Sequence, residues 1–396
     1  MIIELHLLQS FPASNLNRDD LGQPKSVTFG GALRGRVSSQ SLKKAARSLF
    51  PEVGLAEGET AWRTKRLLLK AAQELTPGIG ESGRAQEPAD EERTIVREAL
   101  RQMGFELDAN DLTQYLLFVG TRAVDDLATF CRDNRTKLLA DAEAREKEKK
   151  TKKNKGTTKK KVTDDAKKVA ERILDARTAV DIALFGRMVA DNKDFNVDAA
   201  SQVAHAISTH SVANEFDFYT AVDDLKPEGE AGADMIGTVD FNAACYYHYA
   251  NLDLGQLRRN LFGKEAKPDE DDEDLLRRAT SAWLNAFIRA VPSGKQNSMA
   301  ALTMPDTLLA VVRDSGSWNL ANAFLDPVPG QGVMGESTKR MWQHFQQLRG
   351  FYGDEELHAV AVASLSSDLG QMGVPEDERA GNLPEFTGKV LGEVRD

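Results

Sequence analysis

Cysteine is almost missing from this sequence: its 396 residues include two, Cys131 and Cys245, and no CxxC pair. A disulfide framework and a thiolate metal site are both excluded, and each cysteine reads as a small buried hydrophobe. Long apolar runs are missing too, and none approaches the ~18 residues that span a bilayer. Met1 to Gln9 is interrupted by Glu4 and His6 and has no basic leader. The expectation is therefore a cytoplasmic chain with no secretion signal and no membrane contact. A positive excess is also lacking, since 51 Lys/Arg stand against 61 Asp/Glu for a net charge of −10. That balance by itself argues against a dedicated polyanion binder.

The common catalytic signatures do not occur. Around Gly294-Lys295 a P-loop would need a glycine where Arg289 stands and a hydroxyl where Gln296 stands. There is no GxSxG elbow and no HExxH helix, and the five-residue spacing of His205 and His210 puts them on opposite faces of a strand. The pairs Asp19-Asp20 and Asp223-Asp224 offer hard oxygen ligands for Mg²⁺, but adjacent carboxylates diverge and more often cap turns. Neither a metal nor a cofactor is expected.

What the sequence does have is charge set out in blocks. Residues 1–50 carry seven Lys/Arg (Arg18, Lys25, Arg34, Arg36, Lys43, Lys44, Arg47) against three acids. Residues 145–168 carry twelve against four, and Glu265–Asp274 holds seven acids beside Lys267. The lysine tract Thr151–Lys161 and the acidic block both read as solvated loops, because like charges repel and cannot join a core. An accessory electrostatic arm is the alternative for the lysines.

Hydrophobic period sets the elements. Ile2–Gln9 predicts a strand, Phe11–Gly31 a long polar loop, and Ala32–Val37 a short strand. Ser38 and Ser39 offer an N-cap for a helix running to Phe50, with Pro51 beyond. In that helix Leu42, Ala45, Ala46 and Leu49 form the apolar stripe, so Lys43, Lys44 and Arg47 lie off it and face outward. From Glu59 to Ala179 the pattern is helical, over Ala61–Leu75, Asp90–Met103, Leu112–Arg132 and the stretch after Thr163. Strand patterns return at Ala179–Phe185, Ser201–Val212, Val239–Asn251, Thr307–Arg313 and Leu357–Ala363, with helices at Asp274–Ala290 and Glu336–Leu348. Strands on both sides of a helical block predict an α+β domain carrying a helical insertion.

Two constellations carry chemistry. A long loop with Arg18 and Lys25 precedes a hydroxyl-rich helix start, Ser38-Ser39-Gln40, and the basic triad of that helix. Free N–H groups at a helix start, together with lysines, suit phosphates without reading base identity. The second is Glu215–Asp224, where Phe218, Tyr219 and Val222 stand beside acids and a Gly/Pro-containing segment. It reads as a projecting hairpin able to wedge against bases, or else as a buried strand.

The segments LNRDDLGQPK (16–25), FGGALRGRVSSQSLKKAAR (29–47), VDIALFGRM (180–188), AHAISTH (204–210) and FYTAVDD (218–224) together resemble the CasC family, the backbone subunit of the type I-E CRISPR Cascade complex. The resemblance implies an α+β fold: an RRM-like (ferredoxin-like) palm at 1–59, 179–210 and 241–396. It also implies a helical fingers insertion at 60–178, with a Lys-rich loop at 145–161, and a thumb hairpin at 211–240. It implies no catalytic centre. Copies would stack head to tail along CRISPR RNA and present its bases to a target DNA strand, beside large, small, capping and guide-processing Cascade subunits. Carried over by motif, Arg18, Lys25, Ser38, Gln40, Lys43, Lys44 and Arg47 would hold the RNA backbone and Met188 would pack on bases. Phe218, Tyr219, Thr220 and Val222 would form the thumb wedge. The rival expectation is a metal-dependent endoribonuclease using one of the Asp pairs.

Overall fold

The computed structural model describes residues 1–76, 88–151, 164–173, 179–188, 196–221, 235–264 and 269–394. From the N-terminus come β1 (Ile2–Ser14), β2 (Ser26–Phe29), β3 (Ala32–Val37), α1 (Ser39–Leu49), β4 (Ala61–Thr64), α2 (Leu67–Leu75) and α3 (Asp90–Gln102). Next are β5 (Leu117–Gly120), α4 (Ala123–Asp133), α5 (Arg135–Thr151), α6 (Asp164–Ile173), α7 (Val180–Phe185), β6 (Ser201–Val203), β7 (Ala206–Ser208) and β8 (Glu215–Ala221). The chain continues through β9 (Met235–Asp253), α8 (Leu254–Phe262), α9 (Glu270–Arg289), α10 (Gln296–Met299), β10 (Thr307–Arg313), α11 (Val333–Tyr352), β11 (Leu357–Ser364) and α12 (Leu383–Gly392). It divides into two units, one of Met1–Leu55, Ala200–Leu257 and Pro268–Asp396, the other of Ala56–Ala199 and Arg258–Lys267.

The first unit is built on an antiparallel sheet in the order β11-β10-β1-β9-β7-β3-β2, with β6 and β8 also paired to β9. β1 lies inside this order and its first half is covered on both faces, which is why successive residues from Ile3 to Gln9 are all buried. On one face Leu8, Tyr247, Leu309 and Val360 pack against Met341, Trp342 and Phe345 of α11. On the other, Phe11, Val37, Ala244 and Tyr246 pack with Leu42 of α1. Glu4 and His6, which interrupt the apolar start of β1, are buried and partnered. Glu4 accepts from the Tyr249 hydroxyl (3.0 Å), the Trp318 backbone N–H (2.6 Å) and Arg313 (3.3 Å), and His6 pairs with the Tyr247 hydroxyl at 2.9 Å.

The second unit has its own core. Leu67, Leu68 and Ala71 of α2, Ile95, Val96 and Ala99 of α3, Leu127 and Cys131 of α4, and Val169 and Ile173 of α6 meet there. Burial pushes the Cys131 thiol up to about 12, so it stays a protonated hydrophobe. β4 and β5 form a separate antiparallel pair.

Several expectations need correction. β1 runs through Pro12 to Ser14 by way of an irregular register, and β2 closes a hairpin with β3, so the long loop shrinks to residues 15–25. The hairpin turn is Gly30-Gly31, both at positive φ (59° and 74°), as a two-residue turn of this kind requires. A side chain at Gly30 would also collide with the Leu325 carbonyl. Residues 61–64 and 117–120 are strands, not helix: Trp62, Thr64 and Val119 favour the pleated pair they form. Ala179–Phe185 is instead the short helix α7, clustering with the second unit, because an apolar run this short fits either period. Ser201–Val212 is two short strands. The described part of the acidic block, 269–274, is a capped helix start and not a loop: Asp269 caps α9 through the Asp272 N–H (2.9 Å), and four further acids fill the first turn, where the helix dipole favours them. Residues 145–151 of the Lys-rich stretch belong to α5. Glu265–Pro268 and Lys152–Lys161 lie outside the described residues, as do Val222, Asp223 and Asp224.

Candidate nucleic-acid interface

α1 starts where its sequence says it should. The Ser38 side chain accepts the Ser41 N–H at 3.3 Å, and the Ser38 N–H donates to Asn17 Oδ1 at 2.8 Å. Ser38 is only 6% exposed, so it acts as a cap and hinge for the loop before it, not as an open hydroxyl. The same loop is fastened at both ends. Lys25 N–H bonds the Asn17 carbonyl (2.9 Å), and Asp19 Oδ1 accepts from the N–H groups of Leu21 and Gln23, both at 2.9 Å. Asp19 thus makes a turn that orders the chain around Arg18.

These bonds set Arg18, Gln40 and Lys44 out in solvent, with Lys25 half-exposed beside them. Arg18 and Lys44 share the lining of an open cleft of about 770 Å³. Lys43 and Arg47 do not share that outward face fully. Both are half-buried, and burial holds the Lys43 ammonium below the usual lysine range. Of the expected stripe Leu42 and Ala46 are buried, while Ala45 and Leu49 are half-buried and line the same cleft.

Arg34 leaves the basic patch altogether. It is fully buried, its guanidinium donating to the carbonyls of Ser208 (2.9 Å), Phe324 (2.8 Å) and Leu325 (3.2 Å). Two residues outside the expected RNA-binding set complete the helix start. His205 Nδ1 accepts the Ser39 N–H at 3.2 Å and lies 3.4 Å from Arg36. Its pKa is lowered by burial and then by the charges of Arg36 and Lys25, which keeps the ring a neutral acceptor. No spacing rule would have linked His205 to Ser39; the pairing of β3 with β7 does so.

Met188 belongs to the second unit and is 86% exposed. It follows a fixed pair in which Arg187 and Val197 exchange both backbone hydrogen bonds at 2.9 Å. Arg187 itself reaches the Phe118 carbonyl at 3.1 Å.

The β8–β9 hairpin is open to solvent along the whole of β8, which excludes the buried-strand reading. Its register pairs Phe216 with Asp240, Phe218 with Thr238 and Thr220 with Ile236, so these six share one face. That face carries Phe216, Phe218 and Ile236 at 76%, 60% and 61% exposure. Tyr219 points to the other face, where its ring lies over Gly237. Phe218 and Tyr219 therefore do not form one wedge; the alternation at Phe216 was the signal that would have found its apolar neighbour. Asn15 ties this stem to the loop, its amide donating to the carbonyls of Gly22 (3.0 Å) and Asp240 (2.8 Å).

Among the described residues no group of three or more His, Cys, Asp or Glu is placed to hold a metal ion, and no helix is long and apolar enough to cross a membrane.

Residues 3–388 match the family described as CT1975-like protein. No curated protein sequence matches the chain. The chain is similar to a solved structure titled "CRISPR RNA-guided surveillance complex, pre-nicking", 29% identical, over 99% of this chain and 100% of that one, with a TM-score of 0.82. A chain from a second structure, titled "CRISPR RNA-guided surveillance complex", is 24% identical over 99% and 100% with a TM-score of 0.71, a likeness of fold.

Proposed function

The chain belongs to the CT1975-like family, and from that premise we propose that it is a non-catalytic backbone subunit of a type I-E CRISPR Cascade complex. It binds CRISPR RNA by its sugar-phosphate rail and leaves base edges free to pair with target DNA. The observation that carries this reading is the loop-to-α1 junction: bonds from Asn17, Asp19 and Ser38 hold Arg18, Lys25, Gln40 and Lys44 around one helix start. Such cations contact phosphates of any sequence.

The strand order β10-β1-β9-β7, with α1 and α9 as the connecting helices, supports an RRM-like palm. On the same reading the second unit is the fingers, Met188 packs on bases, and the β8–β9 hairpin is the thumb. Its wedge face is Phe216, Phe218 and Ile236. Copies joined by heterologous contacts would track the guide as an open filament, beside the other Cascade subunits. The Lys-rich stretch 145–161 attracts the target DNA strand; neutralising it lowers DNA affinity while guide binding holds, and equal losses in both would refute that role.

The rival endoribonuclease draws little support from Asp19, whose carboxylate is already bonded to two N–H groups of its own turn. The deciding experiment incubates the purified chain with labelled guide and target RNA, with and without Mg²⁺ or Mn²⁺. Salt-dependent binding that is indifferent to guide sequence, without cleavage, is expected. Metal-dependent cutting lost on Asp19→Asn or Asp223→Asn would overturn the reading.

A further inference from the structure

The cleft that Arg18 and Lys44 line has a second wall, made by the end of α9 and the segment leading to β10. Arg289, in the last turn of α9, is exposed, and among the described residues it has no ion-pair partner. Its simplest reading is a cation at a helix C-terminus, where the dipole favours it. The segment beyond it argues for more.

Lys295 and Ala300 both adopt positive φ (53° and 47°) without being glycine, a conformation that persists only where surrounding bonds impose it. Those bonds are present. Gln296 Nε2 donates to the carbonyls of Pro292 (3.0 Å) and Ala301 (3.3 Å). Thr303 is clamped to β1 in both directions, its carbonyl accepting from Gln9 and its hydroxyl donating to the Ser10 carbonyl, each at 2.7 Å. A side chain at Gly294 would collide with the Asn15 and Leu16 carbonyls, so the two walls meet closely there. With Thr303 fixed, its neighbours Leu302 and Met304 line the cleft while 69% and 54% exposed. Two large apolar side chains are held in solvent by an ordered, strained segment, next to three cations without an ion-pair partner among the described residues. Together they fit a ligand with one anionic and one flat apolar part.

We propose that this cleft holds one nucleotide of the bound RNA, with Arg289 joining Arg18 and Lys44 on its phosphates and Leu302 and Met304 flanking its base or ribose. The assignment rests on the guide-RNA reading above. The volume, about 770 Å³, lies within the usual range of ligand sites. Asp19 and Asp20 also line the cleft; Asp19 is bonded within its own turn, and Lys44 and Arg289 supply the charge facing it from the other elements. The polarizable Met304 thioether suits contact with a π face.

The test titrates labelled guide RNA against the full chain across a salt series, for wild type, Arg289→Ala, the double variant Leu302→Ser/Met304→Ser, and Lys44→Ala. All four positions are exposed, so thermal melts should remain near wild type. Arg289→Ala should weaken binding severalfold and make the salt slope shallower by about 0.7. The double variant should weaken binding with the slope unchanged. If both bind as wild type while Lys44→Ala is impaired, the cleft assignment falls and the guide reading stands. If Arg289→Ala loses thermal stability without losing affinity, the helix-dipole reading replaces the proposal. If wild type itself shows no salt-dependent RNA binding, the guide reading falls first and takes this inference with it.

Discussion

Basic residues of the second unit's core and those around the first unit's cleft meet opposite fates, although elsewhere in the first unit Arg313, Arg340 and Arg349 are paired with carboxylates as well. In the second unit Arg93 and Arg97 converge on Asp111 at 2.9 and 2.6 Å, Arg135 bridges Glu91 (2.6 Å) and Glu92 (3.0 Å), and Arg145 holds the buried Glu98 at 2.8 Å. In the first unit Arg18, Lys44 and Arg289 border a cleft with no ion-pair partner among the described residues, while Arg34 is sealed inside on carbonyls alone. A count of basic residues sees no difference between these groups. What separates them is whether a carboxylate stands within ion-pair distance, and the cleft set keeps its donors open to an outside anion.

The sharpest way to break that contrast is Asp111→Ala, which strips Arg93 and Arg97 of their shared, nearly buried acceptor. A loss of about 3 kcal/mol is expected, read by thermal melting, with guide affinity per folded molecule unchanged. An affinity loss of similar size would mean that the two sets of arginines are not functionally separate.

Acid provides the next test, because the first unit also buries groups that must stay neutral. Burial lowers His248 to about 4 and His6 to about 3. Above about 6.5 both folded and unfolded chains carry the neutral ring, and stability is complete. Below it the unfolded chain takes up protons first, so stability declines as pH falls toward 4. His248 alone accounts for roughly 3 kcal/mol of that loss. Glu4, whose carboxyl is raised chiefly by burial, works in the opposite sense. Melts at pH 7.5 and 5 should diverge less for His248→Leu than for wild type.

Smaller in stability, but direct in function, is Lys44→Ala. It should weaken every guide alike and reduce the salt slope by about 0.7. Its melting should stay within about 0.5 kcal/mol of wild type. Lys43→Ala should instead cost stability as well, since that side chain is half-buried. Strong dependence on guide sequence would contradict backbone contact. Smallest of all, Tyr219→Ala should cost a few tenths of a kcal/mol through the uncovered Gly237. Phe218→Ala should leave melting unaltered and act only on RNA.

Much of the first unit was legible because its signals are local. Ser38 as cap, the Leu42 and Ala46 stripe, and the strands at Thr307–Arg313 and Leu357–Ala363 all follow from residue type and period. Gly30-Gly31 was an unused hairpin signal, and reading it would have shortened the long loop. The short apolar runs failed for the reason such runs do: VDIALF has no room to display a period, and tertiary context made it helix. The candidate site was half legible. The cations could be listed, but which of them face solvent depended on long-range partners such as Ser208 and Phe324 for Arg34, or His205 for Ser39. The far wall of the cleft, from Arg289 to Met304, left no recognisable pattern.

Asn15 gives the first unit a mechanical property. One side-chain amide pins both the loop that carries Arg18 and the stem of the exposed hairpin, at Gly22 and Asp240. Loop and hairpin stem thus share one anchoring side chain. Replacing Asn15 would therefore release the cation-bearing loop and the hairpin stem together.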